Sequence, residues 1–266
     1  MTPTTQNDLA KRFRALHIPG NPLVLTNVWD AITARAIAAL PSTTAIATAS
    51  FAVAAAAGLP DDDLDLATNL RAAASIAKVA AAHDLPLTVD LQDGYGAQLD
   101  EAVRGVIRLG GVGINIEDLG REVGGLYGIE EQCARIRRAV EIAREEGVPE
   151  FVVNARSDAL FAGEGLEDAV QRGKSYLLAG ASNVFLWVGS SGRSWGREEI
   201  ARAVEAFGGR LNVTLIRGRS GGLSVKQIGE LGVARISIGP ALMRWSAEQI
   251  AGEAQRILDE EAVSPV

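Results

Sequence analysis

The stretch LTVDLQDGYG, Leu87 to Gly96, holds the plan of the chain in miniature. It is a short β-favouring run bounded by a glycine turn, and it delivers a carboxylate, Asp90, to its C-terminal end. A run of this length and apolar content is expected of a parallel strand covered on both faces. The same unit recurs in both directions. Candidate strands are Leu23–Asn27, Thr44–Ala49, Leu87–Leu91, Val112–Ile116, Phe151–Ala155, Asn183–Val188, Leu211–Leu215 and Ala234–Ile238. Helical patterns lie between them, as at Asp65–Ala82, Ile129–Glu146, Leu166–Ala179 and Ser224–Leu231, with another from Ala241 to Asp259. Eight strands alternating with helices predict a single-domain α/β fold, the (β/α)8 or TIM barrel. A doubly wound sheet would carry a glycine fingerprint after its first strand, where this chain reads Asn27-Val28-Trp29-Asp30. Pro3–Gly20 reads as an extra helix that plugs the barrel, so residues 1–20 form an N-terminal extension and 21–266 the barrel.

Composition narrows the function classes. The 266 residues carry 26 Lys and Arg against 33 Asp and Glu, and 26 − 33 = −7 argues against a nucleic-acid partner, which needs a basic face. An apolar share of 47% excludes a disordered chain. No run approaches the roughly 20 apolar residues of a membrane span. The opening MTPTTQNDLAKRFRAL has no apolar stretch of signal type. With Cys133 as the only cysteine, no internal disulfide forms, and the expected address is cytoplasmic. His17 and His83 lack ligand spacing, so a zinc-type site is not expected.

In a barrel, chemistry gathers where strands end. Strand three ends at Asp90, strand four at Glu117-Asp118 and strand five at Arg156-Ser157-Asp158. Asp90 and Glu117 on adjacent strand ends are expected about 5–7 Å apart at Cα. Two carboxylates so placed repel unless a cation or proton intervenes, and a hard divalent ion with oxygen ligands resolves this. Arg156 on the next strand offers a planar fork for a substrate anion. The alternative for these residues is a purely structural ring of ion pairs.

At these residues the chain resembles the isocitrate lyase/phosphoenolpyruvate mutase superfamily. Four stretches carry the resemblance: NVWDAITARAI (Asn27–Ile37), VDLQDGYG (Val89–Gly96), GVGINIEDLG (Gly111–Gly120) and VVNARSDALFAGEGLEDAV (Val152–Val170), with VARISIGPAL (Val233–Leu242) closing it. The resemblance implies a Mg²⁺-dependent barrel, with Mn²⁺ as a substitute, that makes or breaks C–C or P–C bonds beside a 2-oxo or 2-hydroxy acid through a metal-stabilised enolate. By motif, Asp90 is implied as the principal metal carboxylate and as a substrate contact, and Glu117 as a further carboxylate of the metal sphere. Arg156 is implied as the arginine that binds the substrate anion, and Asp61 as an aspartate near the metal's water shell; these two are the candidate catalytic residues. Ser50 and Phe51 fall where backbone amides receive substrate. A homo-oligomer, dimer or tetramer, is also implied.

Departures from the family pattern refine the reading. The second acidic residue after the metal aspartate is here Gln92, expected to reach the metal through water. The lysine-x-cysteine-glycine-histidine loop of the lyase branches is replaced by LGREVGGLYG, Leu119–Gly128, read as a mobile lid, while Cys133 falls inside a helical pattern and is expected to pack. The loop asparagine of the mutase branch is missing. Chemistry that needs no protein base survives these losses best, and decarboxylation of a 3-carboxylated 2-oxo acid is the simplest case. Alternatives are phosphoenolpyruvate mutase activity, hydrolysis of phosphonopyruvate or oxaloacetate, and a non-catalytic 2-oxo acid-binding barrel. Arg217–Gly222 with Gly239-Pro240 also admits a phosphate-binding barrel.

Overall fold

A computed structural model of the chain describes residues 4–189, 194–216 and 222–259. Eight parallel strands follow one another round a barrel: β1 (Leu23–Leu25), β2 (Ile46–Ala47), β3 (Leu87–Asp90), β4 (Gly113–Glu117), β5 (Val152–Ser157), β6 (Asn183–Leu186), β7 (Leu211–Thr214) and β8 (Arg235–Ser237). The sheet order is β1-β8-β7-β6-β5-β4-β3-β2, and a parallel bridge between Val28 and Thr48 brings its two ends together. There the Val28 N–H donates to the Ala47 carbonyl at 2.8 Å, so the nearly closed sheet leaves little unpaired edge. Helices alternate with the strands as the sequence predicts, including α2 (Ala31–Ala38), α3 (Ser50–Ala56), α4 (Leu66–Ala82), α6 (Ile129–Glu145) and α7 (Leu166–Leu178). Each start has a local cause where the sequence supplies one: Asp30 caps α2 by accepting from the Thr33 N–H, and Asp65 caps α4 by accepting from Thr68.

The strand faces are divided by chemistry. Ile114, Ile116, Val153, Ala155, Val184, Leu186, Val213 and Ile236 are buried in the apolar layer. The alternate positions carry Thr88, Asp90, Asn115, Glu117, Asn154, Arg156, Asn212, Arg235 and Ser237, which makes the inside of the barrel unusually polar. These polar groups bond to one another: Asn154 Nδ2 donates to Asn115 Oδ1 at 2.8 Å, and Asn212 pairs with Ser237.

The N-terminal extension forms α1 (Gln6–Ala15), opened by a capping box of Thr5 and Asp8. It packs beside the N-terminal ends of β4 and β5, where Arg14 Nη2 donates to the Phe151 carbonyl at 2.9 Å. Gln6 Nε2 donates to the Ile107 and Gly111 carbonyls, and Phe13 lies against Gly113, where a Cβ would come within 3.0 Å of the ring. At the other end of the chain, α10 (Ala241–Leu258) has no buried residue and exposes Trp245, Ile250, Ile257 and Leu258. Trp195, by contrast, is buried in the core. No helix among the described residues is long and apolar enough to cross a membrane.

Most strands are shorter than predicted, and two differences bear on the site. β4 and β5 run further than predicted, so Glu117, Arg156 and Ser157 lie within strands. Asp90 is in register with Asn115, and Glu117 with Arg156. Glu117 is therefore not beside Asp90 but two residues higher, displaced by roughly 6–7 Å along the strand. Barrel stagger, invisible in either strand alone, is the reason.

Two groups make the fold's energetics testable. Asp118 is fully buried and accepts from the Asp158 N–H at 2.7 Å, Ser157 Oγ at 3.0 Å, Tyr176 Oη at 2.6 Å and Arg172 Nη1 at 3.4 Å. It thus ties the end of β5 to α7. Asp118→Asn removes the charge facing Arg172 and is expected to lower unfolding stability by about 3 kcal/mol in urea titrations. A change within error would show that the anchor is dispensable.

His17 follows α1, with Nδ1 donating to the Phe13 carbonyl at 2.9 Å and Nε2 buried without a partner. Desolvation, then the charge of Arg235, holds its pKa down to about 3, against 6.5 for the free side chain. The unfolded chain therefore binds this proton first. Stability is full above pH 6.5 and falls as pH drops toward 3. Relative to His17→Gln, the parent should lose about 2 kcal/mol more between roughly pH 7.5 and pH 4.5. Parallel losses in the two proteins would remove His17 as the cause.

Candidate active site

Polar side chains converge at the C-terminal mouth of the barrel, and Arg156 is their pivot. Register places it between Glu117 on β4 and Phe185 on β6. Its Nη1 meets Glu117 Oε2 at 2.8 Å, while Nε and Nη2 donate to Asp158 Oδ1 at 3.0 and 2.5 Å. The guanidinium also stacks over the Trp187 ring at 4.0 Å. Desolvation opposes its charge, but Asp158 and Glu117 outweigh that and raise its pKa, so Arg156 stays protonated.

Asp90 is held from three sides. Its Oδ2 accepts from the Ser50 N–H at 3.0 Å, its Oδ1 from Asn115 Nδ2 at 3.0 Å, and its own N–H donates to Thr48 Oγ1. The Ser50 amide opens α3, so the carboxylate also lies at a helix start with orphan N–H groups. The amide expected to receive substrate is thus engaged by Asp90. The neighbouring Phe51 has a half-exposed ring under the Arg244 guanidinium, 4.9 Å from its centroid.

Asp61 sits in a single 3₁₀ turn, Asp61–Asp63, above the site. Burial and then the charge of Asp90 raise its pKa, while Arg156 and Arg121 pull the other way. Glu117 is raised well above the ordinary range, chiefly by desolvation and by Asp158, Asp90 and Asp61, against the pull of Arg156. Asp158 is raised for the same leading reason. Four carboxylates thus share one field, and among the described residues Arg156, Arg121 and Arg235 act on it.

Gln92 is buried in the left-handed region at φ +52°. Its amide contacts Asp61 and Arg121. The lid segment forms a small antiparallel hairpin, Leu119–Gly120 with Gly125–Leu126, and Arg121 reaches back from it. Tyr95 accepts a hydrogen bond from Asn69 Nδ2 at 2.8 Å, and burial pushes its phenol far above the ordinary range, which disqualifies it as a base. Cys133 is buried in α6 and packs, as expected. Most of the Arg217–Gly222 stretch lies outside the described residues.

The structure therefore brings Asp61, Asp90, Glu117 and Arg156 into one electrostatic cluster and places Ser50 and Gln92 in contact with it. Sequence reasoning missed Asn115, Asn154, Arg121 and Trp187. A signal existed for the first two: an asparagine inside an otherwise apolar strand must find a buried partner.

The donor set can be weighed for a divalent ion. It consists of carboxylate oxygens, the ligands of a hard cation. Among the described residues, no three His, Cys, Asp or Glu side chains form a ready ligand cage. A cage-bound ion does not suit this site, whereas Mg²⁺, which keeps several waters and takes one or two carboxylates, does. The raised carboxylates supply the physical motive, because added positive charge would relieve their mutual repulsion. The residues present fit the ion.

Comparison with known proteins gives the family. A family model for phosphoenolpyruvate phosphomutase matches residues 13–258. An uncharacterized protein of Mycobacterium tuberculosis is 33% identical over 230 residues, covering 85% of this chain and 81% of that protein. The 2-methylisocitrate lyase of Escherichia coli is 34% identical over 186 residues, covering 66% of this chain; the match spans 60% of the lyase's length. A crystal structure of a putative phosphonomutase from Burkholderia cenocepacia superimposes with a TM-score of 0.84 at 31% identity, covering 95% of this chain and 99% of that one. With the eight-stranded barrel, the carboxylates of its mouth and these matches taken together, the chain belongs to the isocitrate lyase/phosphoenolpyruvate mutase superfamily.

Proposed function

We propose that this protein is a Mg²⁺-dependent lyase that cleaves a C–C bond of a small 2-oxo or 2-hydroxy acid, in the simplest case a decarboxylase of a 3-carboxylated 2-oxo acid. The observation that carries the reading is the excess of carboxylates over guanidiniums at the mouth. Among the described residues, Asp61, Asp90, Glu117 and Asp158 face Arg156, Arg121 and Arg235, an excess of acid that a divalent cation would offset. Asp90 and Glu117 are the residues that would hold Mg²⁺ or Mn²⁺, whose chemistry there is to stabilise negative charge on the oxo oxygen.

Arg156 binds the substrate carboxylate. Its fork is shared between Glu117 and Asp158, and with Glu117 holding a cation the side of the fork now on Glu117 would be free for a substrate anion. Asp158 holds the guanidinium in place and Trp187 supports it from one face. The Phe51 amide, at the exposed start of α3, offers a donor to the substrate. The chain's two histidines and one cysteine lie outside this constellation, so cleavage that leaves an enolate for water to protonate fits better than a reaction needing a side-chain base. Asp61 orients that water.

The protein works as a homo-oligomer, and α10 is the surface that supports this. An eighteen-residue helix with no buried residue exposes Trp245, Ile250, Ile257 and Leu258, apolar side chains that a second copy could cover. Beside the divalent ion, the small acid is the ligand this reading needs.

A panel of oxaloacetate-like acids is expected to turn over with Mg²⁺ or Mn²⁺ and to lose turnover on chelation, with CO₂ release as the readout. Equal rates with and without chelator remove the ion from the reading. Binding by calorimetry without turnover of any acid makes the protein a non-catalytic receptor instead. Arg156→Lys keeps a charge but loses the fork, and is expected to lower kcat/KM on the order of 100-fold.

A further inference from the structure

Gln92 departs from its family's pattern, and its surroundings show what an amide does there that a carboxylate cannot. Its Nε2 donates to Asp61 Oδ1 and to the Asp61 carbonyl, both at 2.9 Å. Its Oε1 accepts from Arg121 Nη2. The order is carboxylate, amide, guanidinium, and each end of the amide dipole faces the charge that suits it. A glutamate in this place would accept from Arg121 but would have no proton to give Asp61, and would stand charge to charge against it.

Arg121 extends the chain of contacts across the mouth. Its Nη1 donates to the Leu64 carbonyl and its Nη2 to the Asp61 carbonyl, each at 3.1 Å. Its own N–H donates to Asp93 Oδ2 at 3.1 Å. Arg121 lies in the hairpin after β4, so one side chain fastens that hairpin to the Asp61 turn and to the loop after β3. The backbone of Gln92 is committed as well, because its carbonyl accepts from the Glu117 N–H at 2.8 Å. A glutamine kept at φ +52° costs backbone energy that a glycine would not, which points to a role for its side chain.

We propose that Gln92 is a positioning residue that locks the Asp61 turn to the hairpin through Arg121, setting Asp61 over the site, in place of the water-mediated metal contact expected from the sequence. The function of the lock rests on the proposed reading of Asp61; its existence does not. Lid and turn move as one body, joined by a neutral amide between opposite charges.

Hydrogen-exchange mass spectrometry on the full chain tests the lock without substrate. Gln92→Gly relaxes the left-handed backbone, so loss of folding does not confuse the result. It is expected to speed exchange about tenfold in both the 61–64 turn and the 119–126 hairpin, leaving Val152–Ser157 unchanged. Arg121→Met, at a half-exposed position, should do the same. Gln92→Glu keeps the partner of Arg121 but not that of Asp61, so it should loosen the turn and spare the hairpin. Parental protection of the turn in Gln92→Glu, or faster exchange spread evenly over the barrel in Gln92→Gly, overturns the proposal. With an acid that turns over, Gln92→Gly should lower kcat on the order of 100-fold with little change in KM. If the exchange pattern appears but no acid is turned over, the lock stands and the lyase reading falls.

Discussion

Negative charge taken out of water is the constraint around which the mouth of this barrel is built. Asp158 is fully buried, Glu117 nearly so, and both are raised in pKa chiefly because the surroundings solvate their charges poorly. Arg156 offsets part of that cost by lying between them, and the Trp187 ring shields the guanidinium on one face. Arg121 and Arg235 act on Asp61 and Asp90 in turn, yet acid still exceeds base among the described residues there. Such an imbalance is poor for stability and is the usual character of a functional site.

Holding such charges at fixed distances requires a stiff support, and the polar barrel interior provides it. Asn115 donates to Asp90 while accepting from Asn154, so the carboxylate is braced from below by side chains of the next two strands. Barrels of this type usually fill their interiors with branched apolar residues. Here bonded amides take that place, and they fix direction as well as volume. Asp118, on the opposite face of β4, ties the same strands to α7, so the strand end that carries Arg156 and Asp158 is held from inside and outside.

The mouth combines carboxylates and guanidiniums, and the segment beside it has a structure of its own. The segment after β4 carries no cysteine or histidine, yet it is not an empty loop: it folds into a hairpin whose Arg121 reaches the Asp61 turn. Loss of an acid at Gln92 and the presence of Arg121 are thus a matched pair. A neutral amide donates to the aspartate and accepts from the arginine at once.

Much of this was legible in the residues. The alternation of short apolar runs with helical patterns set the eight-fold unit, because period and turn chemistry are local properties. Asp90, Glu117 and Arg156 were readable as strand-end residues for the same reason. The sequence did not reveal that Asp90 stands level with Asn115 and that Glu117 stands level with Arg156, since register depends on how neighbouring strands stagger when the sheet closes. It also left hidden that the Ser50 amide is engaged by Asp90, and that Gln92 contacts Asp61 and Arg121. These are contacts between segments dozens of residues apart. Local sequence determines which groups reach the mouth, and only the closed barrel decides which of them touch, because hydrogen bonds and ion pairs depend on distances that chain order does not contain.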